Sequence, residues 1–234
     1  MKESEKVVKM SFKLRIFAKW EDSRERAFLS LLEFNPTAKV IDLGCGRGEF
    51  TLKVKEKTGC SEIGGVDVYG EAIAEAKRKG INIKKVDLNE FLPFAENSFD
   101  IIVSNQVIEH LFYPVRFMKE IYRILDFGGY AIISTENLAS WDNIFSLLLG
   151  YTPFSMEFDG GLYKIGNPLS PHEKEIVENY PPHVRIFTCK GLIELAKFVG
   201  FKVERVIGNG HILGKFGELI DKENCRFVTI KISK

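Results

Sequence analysis

The sequence predicts a three-layer α/β domain built around a parallel sheet, and three observations carry that expectation. Short apolar runs alternate with charged, helix-compatible stretches from about residue 39 to residue 134. One of these runs, FDIIVS at 99–104, is nearly continuously apolar, as a strand covered on both faces requires. The first run, Val40 to Leu43, ends in glycines at 44, 46 and 48, which is how a buried strand turns sharply into a helix.

Each element has its own local justification. Phe17, Trp20, Arg24, Phe28, Leu31 and Leu32 share one face of an opening helix that Asn35-Pro36 ends. Lys39 to Leu43 reads as the first strand, Arg47 to Thr58 as a helix, and Glu62 to Asp67 as the second strand. The helix over Glu71 to Lys79 begins acidic, ends in Lys77-Arg78-Lys79 and stops at Gly80, so both ends complement its dipole. Ile81 to Val86 is the third strand and Phe99 to Ser104 the fourth. Pro114 suits the first turn of a helix to about Leu125, and Gly128-Gly129 turns into a fifth strand, Tyr130 to Ser134. Between 140 and 185 the alternation breaks, with Trp141, Phe145, Tyr151, Phe154, Phe158, Tyr163 and Tyr180 spread among Gly and Pro. Thr188 then caps a helix to Val199 that Gly200 stops, followed by strand Phe201 to Ile207. Gly208 to Gly217 is a glycine-rich connection to a last strand, Cys225 to Ile232.

Length and composition set the frame. The chain of 234 residues fits one domain with a substantial core, divided as a 1–36 arm and helix, a 37–139 core, a 140–185 insert or lid, and a 186–234 C-terminal part of the sheet. A net charge of +1 gives no global drive toward nucleic acid or membrane. The local exception is the N-terminal arm, where Lys2, Lys6, Lys9, Lys13, Arg15 and Lys19 face only Glu3 and Glu5. No apolar run reaches the roughly 18 residues of a membrane span, and no signal peptide is read. Cys45, Cys60, Cys189 and Cys225 are scattered without a C-x-x-C pair, which fits reduced thiols in a cytoplasmic protein rather than a disulfide framework or zinc site. No metal is expected.

The chemistry gathers at the carboxyl ends of the strands, where open α/β sheets bind ligands. The glycine turn spells Gly-x-Gly-x-Gly. A dinucleotide fingerprint needs its third glycine at position 49, which is Glu49. Asp67 ends the second strand, where a carboxylate can accept from both hydroxyls of a ribose. Asp87 ends the third, where it can accept from an exocyclic amine such as adenine N6. Three such features along one sheet edge make an adenosine-type ligand the best reading.

These residues resemble class I S-adenosylmethionine-dependent methyltransferases. VIDLGCGRGEF, GVDVYGEAI, KVDLNEF and FDIIVSNQVIEHL are similar to that family's first four motifs, in order. RILDFGGYAIIS resembles its segment before strand five, with Asp126-Phe127 in place of the usual Lys-Pro. Residues 181–206 further resemble the C-terminal part of small-molecule methyltransferases of the ubiquinone-biosynthesis type. The resemblance implies a Rossmann-like fold with a mostly parallel seven-stranded sheet and an antiparallel last strand, and S-adenosylmethionine as cofactor. Gly44 and Gly46 would then meet the methionyl moiety and Asp42 would help hold its ammonium. Asp67 would take the ribose hydroxyls with Val68 against the adenine, Asp87 and Leu88 would meet the adenine edge, and Asn105 and Gln106 would line the site beside the sulfonium. Val68 and Leu88 are served equally well by simple packing.

His110 and His183 are the candidate general bases, should the acceptor have to lose a proton. Ser104-Asn105-Gln106-Val107 lacks the Asn/Asp-Pro-Pro-Tyr/Phe pattern of enzymes that methylate adenine, cytosine or glutamine amines. The aromatic insert at 141–163 reads as a lid or wall over an apolar or planar small molecule, and packing of the domain's flank serves it equally well; an oxygen acceptor is slightly favoured. Two alternatives stay open: an RNA or protein methyltransferase docked by the basic arm, and a non-catalytic S-adenosylmethionine binder.

Overall fold

The computed structural model describes residues 12–156, 165–169, 182–211 and 213–234, with side chains from residue 19 onward. Lys2, Lys6 and Lys9 of the basic arm, and Phe158, Tyr163 and Tyr180 of the aromatic insert, lie outside the described residues. The chain runs α1 (Phe12–Ser30), β1 (Val40–Leu43), α2 (Glu49–Thr58), β2 (Ile63–Asp67), α3 (Gly70–Arg78), β3 (Asn82–Lys85) and β4 (Phe99–Asn105). It continues with a short 3-10 turn (Ile108–His110), α4 (Pro114–Ile124), β5 (Leu125–Glu136), α5 (Trp141–Leu148), α6 (Cys189–Val199), β6 (Lys202–Asn209), α7 (Gly214–Ile220) and β7 (Phe227–Ser233).

The seven strands form one sheet in the order β3-β2-β1-β4-β5-β7-β6. The first five are parallel, and β7 inserts antiparallel between β5 and β6. Chain order reverses direction between β1 and β4, so the switch point falls beside the glycine turn. The central strands are apolar because both faces are covered. On one face α1 and α2 bring Phe28 and Val54 onto Val40, Ile101 and Ile132. On the other, α4 and α6 bring Phe117, Ile121 and Leu192 onto Ile41, Ile102 and Ile133.

Most expected elements lie within a residue or two of their places, including the Thr188 cap, whose hydroxyl accepts from the Gly191 amide at 3.0 Å. Two do not. Gly128 and Gly129 are no turn before the fifth strand: β5 already begins at Leu125, and the glycines lie in an irregularity where Leu125 faces Phe99 and Tyr130 faces Ile101. A Cβ at Gly129 would meet the Asp100 carbonyl oxygen at 2.6 Å, so backbone pressed against backbone demands glycine there. The glycine-rich stretch before the last strand, read as a connection, carries α7. None of the described helices is long and apolar enough to cross a membrane.

Candidate active site

A cavity of about 550 Å³ opens at the carboxyl ends of β1 to β4. Gly44 contributes from β1, Asp67, Val68 and Tyr69 from β2, and Asp87, Leu88 and Asn89 from β3. Gln106, Val107 and His110 follow β4, and Pro182 and Val184 close the far side.

The glycine turn is shaped by what it must avoid. Gly44 has φ +88°, and a Cβ there would reach Val107 Cγ2 at 2.4 Å. The turn also uses its own donors. The Gly44 and Cys45 amides donate to Val66 O at 2.9 and 3.0 Å, Gly48 donates to Cys45 O at 3.0 Å, and Gly46 donates to Asp67 Oδ2 at 2.8 Å. A phosphate cradle works by presenting free amides to an anion. These four are spent internally, and no Lys or Arg lines the cavity among the described residues. The site therefore suits a neutral or cationic ligand better than a pyrophosphate.

Asp67 is the hub of this wall. It is buried, and its Oδ1 accepts from the Val68 and Tyr69 amides at 2.7 and 2.9 Å while Oδ2 takes Gly46. A carboxylate offers about four acceptor sites. One remains, on Oδ2, so Asp67 both fastens the turn and keeps room for a hydroxyl. Val68 stands exposed at the cavity, whereas Leu88 is buried in the main apolar cluster as well as lining the wall. Asp87 Oδ1 accepts from the Asn89 amide at 2.8 Å and from Asn89 Nδ2 at 3.1 Å.

Four expected residues stand back from the wall: Asp42, Gly46, Asn105 and His183 do not line the cavity. Gly46 acts through Asp67. Asn105 and Gln106 are adjacent at a strand end, where successive side chains point to opposite faces, and only Gln106 reaches the cavity. Gln106 has φ +57°, and its Nε2 donates to Ser134 Oγ at 3.0 Å.

Asp42 is fully enclosed, its Oδ2 accepting from Thr51 Oγ1 at 2.6 Å. Burial pushes its carboxyl up to about 7, against the Thr51 hydrogen bond and with help from the Asp67 charge. The folded pKa thus lies above the unfolded value of about 3.9, so this group's stabilisation is complete below pH ~4 and is lost as pH rises toward 7. Asp42→Asn is expected to raise the melting temperature by about 5 °C at pH 8 and by nothing at pH 4. A thermal-shift series across that range checks it; an equal loss at every pH would show a structural carboxylate instead.

Sequence reasoning missed two residues. Asn89 Oδ1 accepts from the Phe112 and Tyr113 amides at 2.8 and 3.3 Å, tying the end of β3 to the loop after β4. Its signal was the Asp-x-Asn spelling of an Asx turn. Glu109 is fully buried, its Oε2 accepting from Thr135 Oγ1 at 2.9 Å. Burial pushes its carboxyl up to about 7, with His183 opposing. The Glu109 carbonyl accepts from the Val184 and Arg185 amides, both at 2.9 Å, and this clips the 182–185 segment onto the 3-10 turn. The clip brings the His110 and His183 rings to 4.8 Å between centroids.

The profile of a family described as a methyltransferase domain matches residues 41–133, which hold the glycine turn, Asp67, Asp87 and the segment after β4. Residues 41–133 thus match a methyltransferase domain. The chain is similar to an uncharacterized methyltransferase of Schizosaccharomyces pombe, 33% identical over 116 residues, which cover 44% of this chain and 42% of that protein. It is also similar to a demethylmenaquinone methyltransferase of Listeria monocytogenes, 25% identical over 214 residues, 86% of this chain and 82% of that one. The S-adenosylmethionine-dependent methyltransferase of Mesorhizobium loti shares the fold with TM-score 0.65 at 17% identity, covering 92% of this chain and all of that one. The chain spans about half the length of the first curated relatives it matches. A relative in Mycolicibacterium smegmatis, 29% identical over 75% of this chain and 56% of that protein, is described as a probable S-adenosylmethionine-dependent methyltransferase.

Proposed function

We propose that this protein transfers a methyl group from S-adenosylmethionine to a small molecule bearing a weakly acidic ring hydroxyl. The observation that carries the reading is the continuity of the cavity: Gly44 and Asp67 at one end, His110 and Val184 at the other, with Gln106 and Val107 between. The cradle fits the cofactor, since its internally spent amides and lack of Lys or Arg suit a ligand without phosphate. When bound, S-adenosylmethionine supplies a methyl group already activated on a sulfonium.

What remains for the chain is binding, orientation and the exclusion of water. Asp67 would accept a ribose hydroxyl, Asp87 and Leu88 would meet the adenine edge, and Val68 would lie against its face. Asp42, behind the turn, would act on the methionyl ammonium through an intervening group, and Gln106 would stand beside the sulfonium. His110 lines the wall and His183 backs it, which supports a role for this pair at the acceptor hydroxyl, as base or as support for its oxyanion. Oxygen is the favoured acceptor atom. The likeness to a ubiquinone/menaquinone biosynthesis C-methyltransferase of Geotalea daltonii supports a second reading, methylation of a carbon, and a ring carbon next to a hydroxyl becomes nucleophilic through loss of the same proton.

Incubation with methyl-labelled S-adenosylmethionine and three acceptor pools tests the assignment: phenols and hydroquinones, total RNA, and extract protein. Label is expected in a small product that partitions into organic solvent. Label confined to RNA or protein would overturn the small-molecule reading, and no transfer to any pool would favour a non-catalytic binder.

A further inference from the structure

Three ionisable side chains meet just past β4 at the far end of the cavity. Glu109, His110 and His183 each offer a ligand atom, and these atoms lie within 4.8 Å of one another. Glu109 is wholly enclosed, and while its Oε2 is held by Thr135, its Oε1 meets no hydrogen-bond donor. A buried carboxylate oxygen left in this way costs several kcal/mol unless it takes a proton or meets a cation.

The two imidazoles are oriented for that cation. His110 Nδ1 lies 3.1 Å from the Pro182 carbonyl oxygen, and His183 Nδ1 lies 2.8 Å from the Ser155 carbonyl oxygen. A carbonyl can only accept, so each Nδ1 carries a proton, and in the neutral form of each ring the lone pair sits on Nε2. An imidazole whose outer nitrogen donates to a backbone carbonyl is the usual supporting arrangement of a metal ligand. The segment that brings His183 is itself fixed by the Val184 and Arg185 amides on the Glu109 carbonyl. One carboxylate thus supplies a ligand oxygen through its side chain and the clip through its backbone.

We infer that Glu109, His110 and His183 form a binding site for a divalent transition-metal ion, Zn²⁺ or Mn²⁺, at the acceptor end of the cavity. Two imidazoles and one carboxylate suit zinc and its first-row neighbours, whereas Mg²⁺ and Ca²⁺ favour all-oxygen shells. Three protein ligands leave coordination positions open, as catalytic rather than structural sites do. His110 lines the cavity, so the ion lies where an acceptor oxygen can complete its shell. That role, though not the site itself, rests on the methyltransferase reading. It also replaces direct base action by the histidines, because an ion stabilises the ring hydroxyl as its oxyanion.

The test is calorimetry on the full chain after chelator dialysis, titrated in turn with ZnCl₂, MnCl₂ and MgCl₂. One equivalent of Zn²⁺ or Mn²⁺ is expected at micromolar Kd or tighter, with Mg²⁺ at least a hundredfold weaker. His183→Ala and Glu109→Gln should each weaken the tight ion by a hundredfold or more while circular dichroism stays native. Substituted Co²⁺ should show visible bands without the near-ultraviolet charge transfer that thiolate ligands give. Absence of tight binding, equal binding in His183→Ala, or a thiolate signature would overturn the site. Metal binding without S-adenosylmethionine binding would sink the functional reading and leave the site standing; the reverse result would do the opposite.

Discussion

Asp67→Ala is expected to weaken S-adenosylmethionine binding about a hundredfold, close to 2.7 kcal/mol. The carboxylate holds the amides of Gly46, Val68 and Tyr69, so its loss unfastens the glycine turn from the end of β2 and removes the acceptor for a ribose hydroxyl. Hydrogen bonds to a charged group contribute about 1.5–3 kcal/mol each, and only part of that sum reaches the ligand. Asp67→Asn separates the two roles. Its carboxamide oxygen can still accept from Val68 and Tyr69, while its NH₂ faces the Gly46 amide donor to donor. Calorimetry should rank wild type above Asn and Asn above Ala. An unchanged affinity in Asp67→Ala would remove this residue from the cofactor site.

Arg226→Leu should cost about 3–5 kcal/mol of stability, the usual penalty for removing one partner of a buried ion pair. Its side chain is only 3% exposed, pairs with Asp142 through Nη1, and lies 3.7 Å from Glu136 Oε1 through Nη2. The guanidinium also sits over the rings of Trp20, Phe154 and Phe227, at 5.7, 5.8 and 5.7 Å from their centroids. One side chain thereby joins the end of β5, the start of α5, the start of β7 and α1. Its removal strands two acids in a dry site. A melting-temperature loss of about 10 °C is expected. Adding Asp142→Asn to Arg226→Leu should recover part of it, because one stranded charge goes. An unchanged midpoint would mean that water satisfies the acids.

The parallel half of the sheet was legible because its signals are local. Val40, Ile41 and Leu43 are apolar and the whole strand is buried, since both faces are covered, and Gly48, Gly80 and Gly200 mark helix ends with positive φ. β5 was misread for a non-local reason: pairing of Leu125 with Phe99 extends the strand back past Gly128 and Gly129, which by themselves look like a turn. Within the site, Asp67 and Asp87 were legible because strand ends at one edge of a parallel sheet converge by register. Gln106 lines the cavity and Asn105 does not, because neighbours at a strand end point to opposite faces. Glu109 hid inside an apolar run, and its partnership with His183 depends on a backbone clip formed after β5 and α5 intervene. No spacing in the sequence encodes that meeting.

The insertion of β7 between β5 and β6 has a consequence for biosynthesis. Since β6 joins the sheet only through β7, both strands are absent from it until Phe227 to Ser233 have been made. During translation the stretch Tyr130 to Glu136 of β5, apolar through Ile133, is therefore an open, hydrogen-bond-hungry edge, the kind that recruits strands from other chains. A nascent chain stalled before Phe227 is short of two strands, and its parallel half carries an adhesive rim.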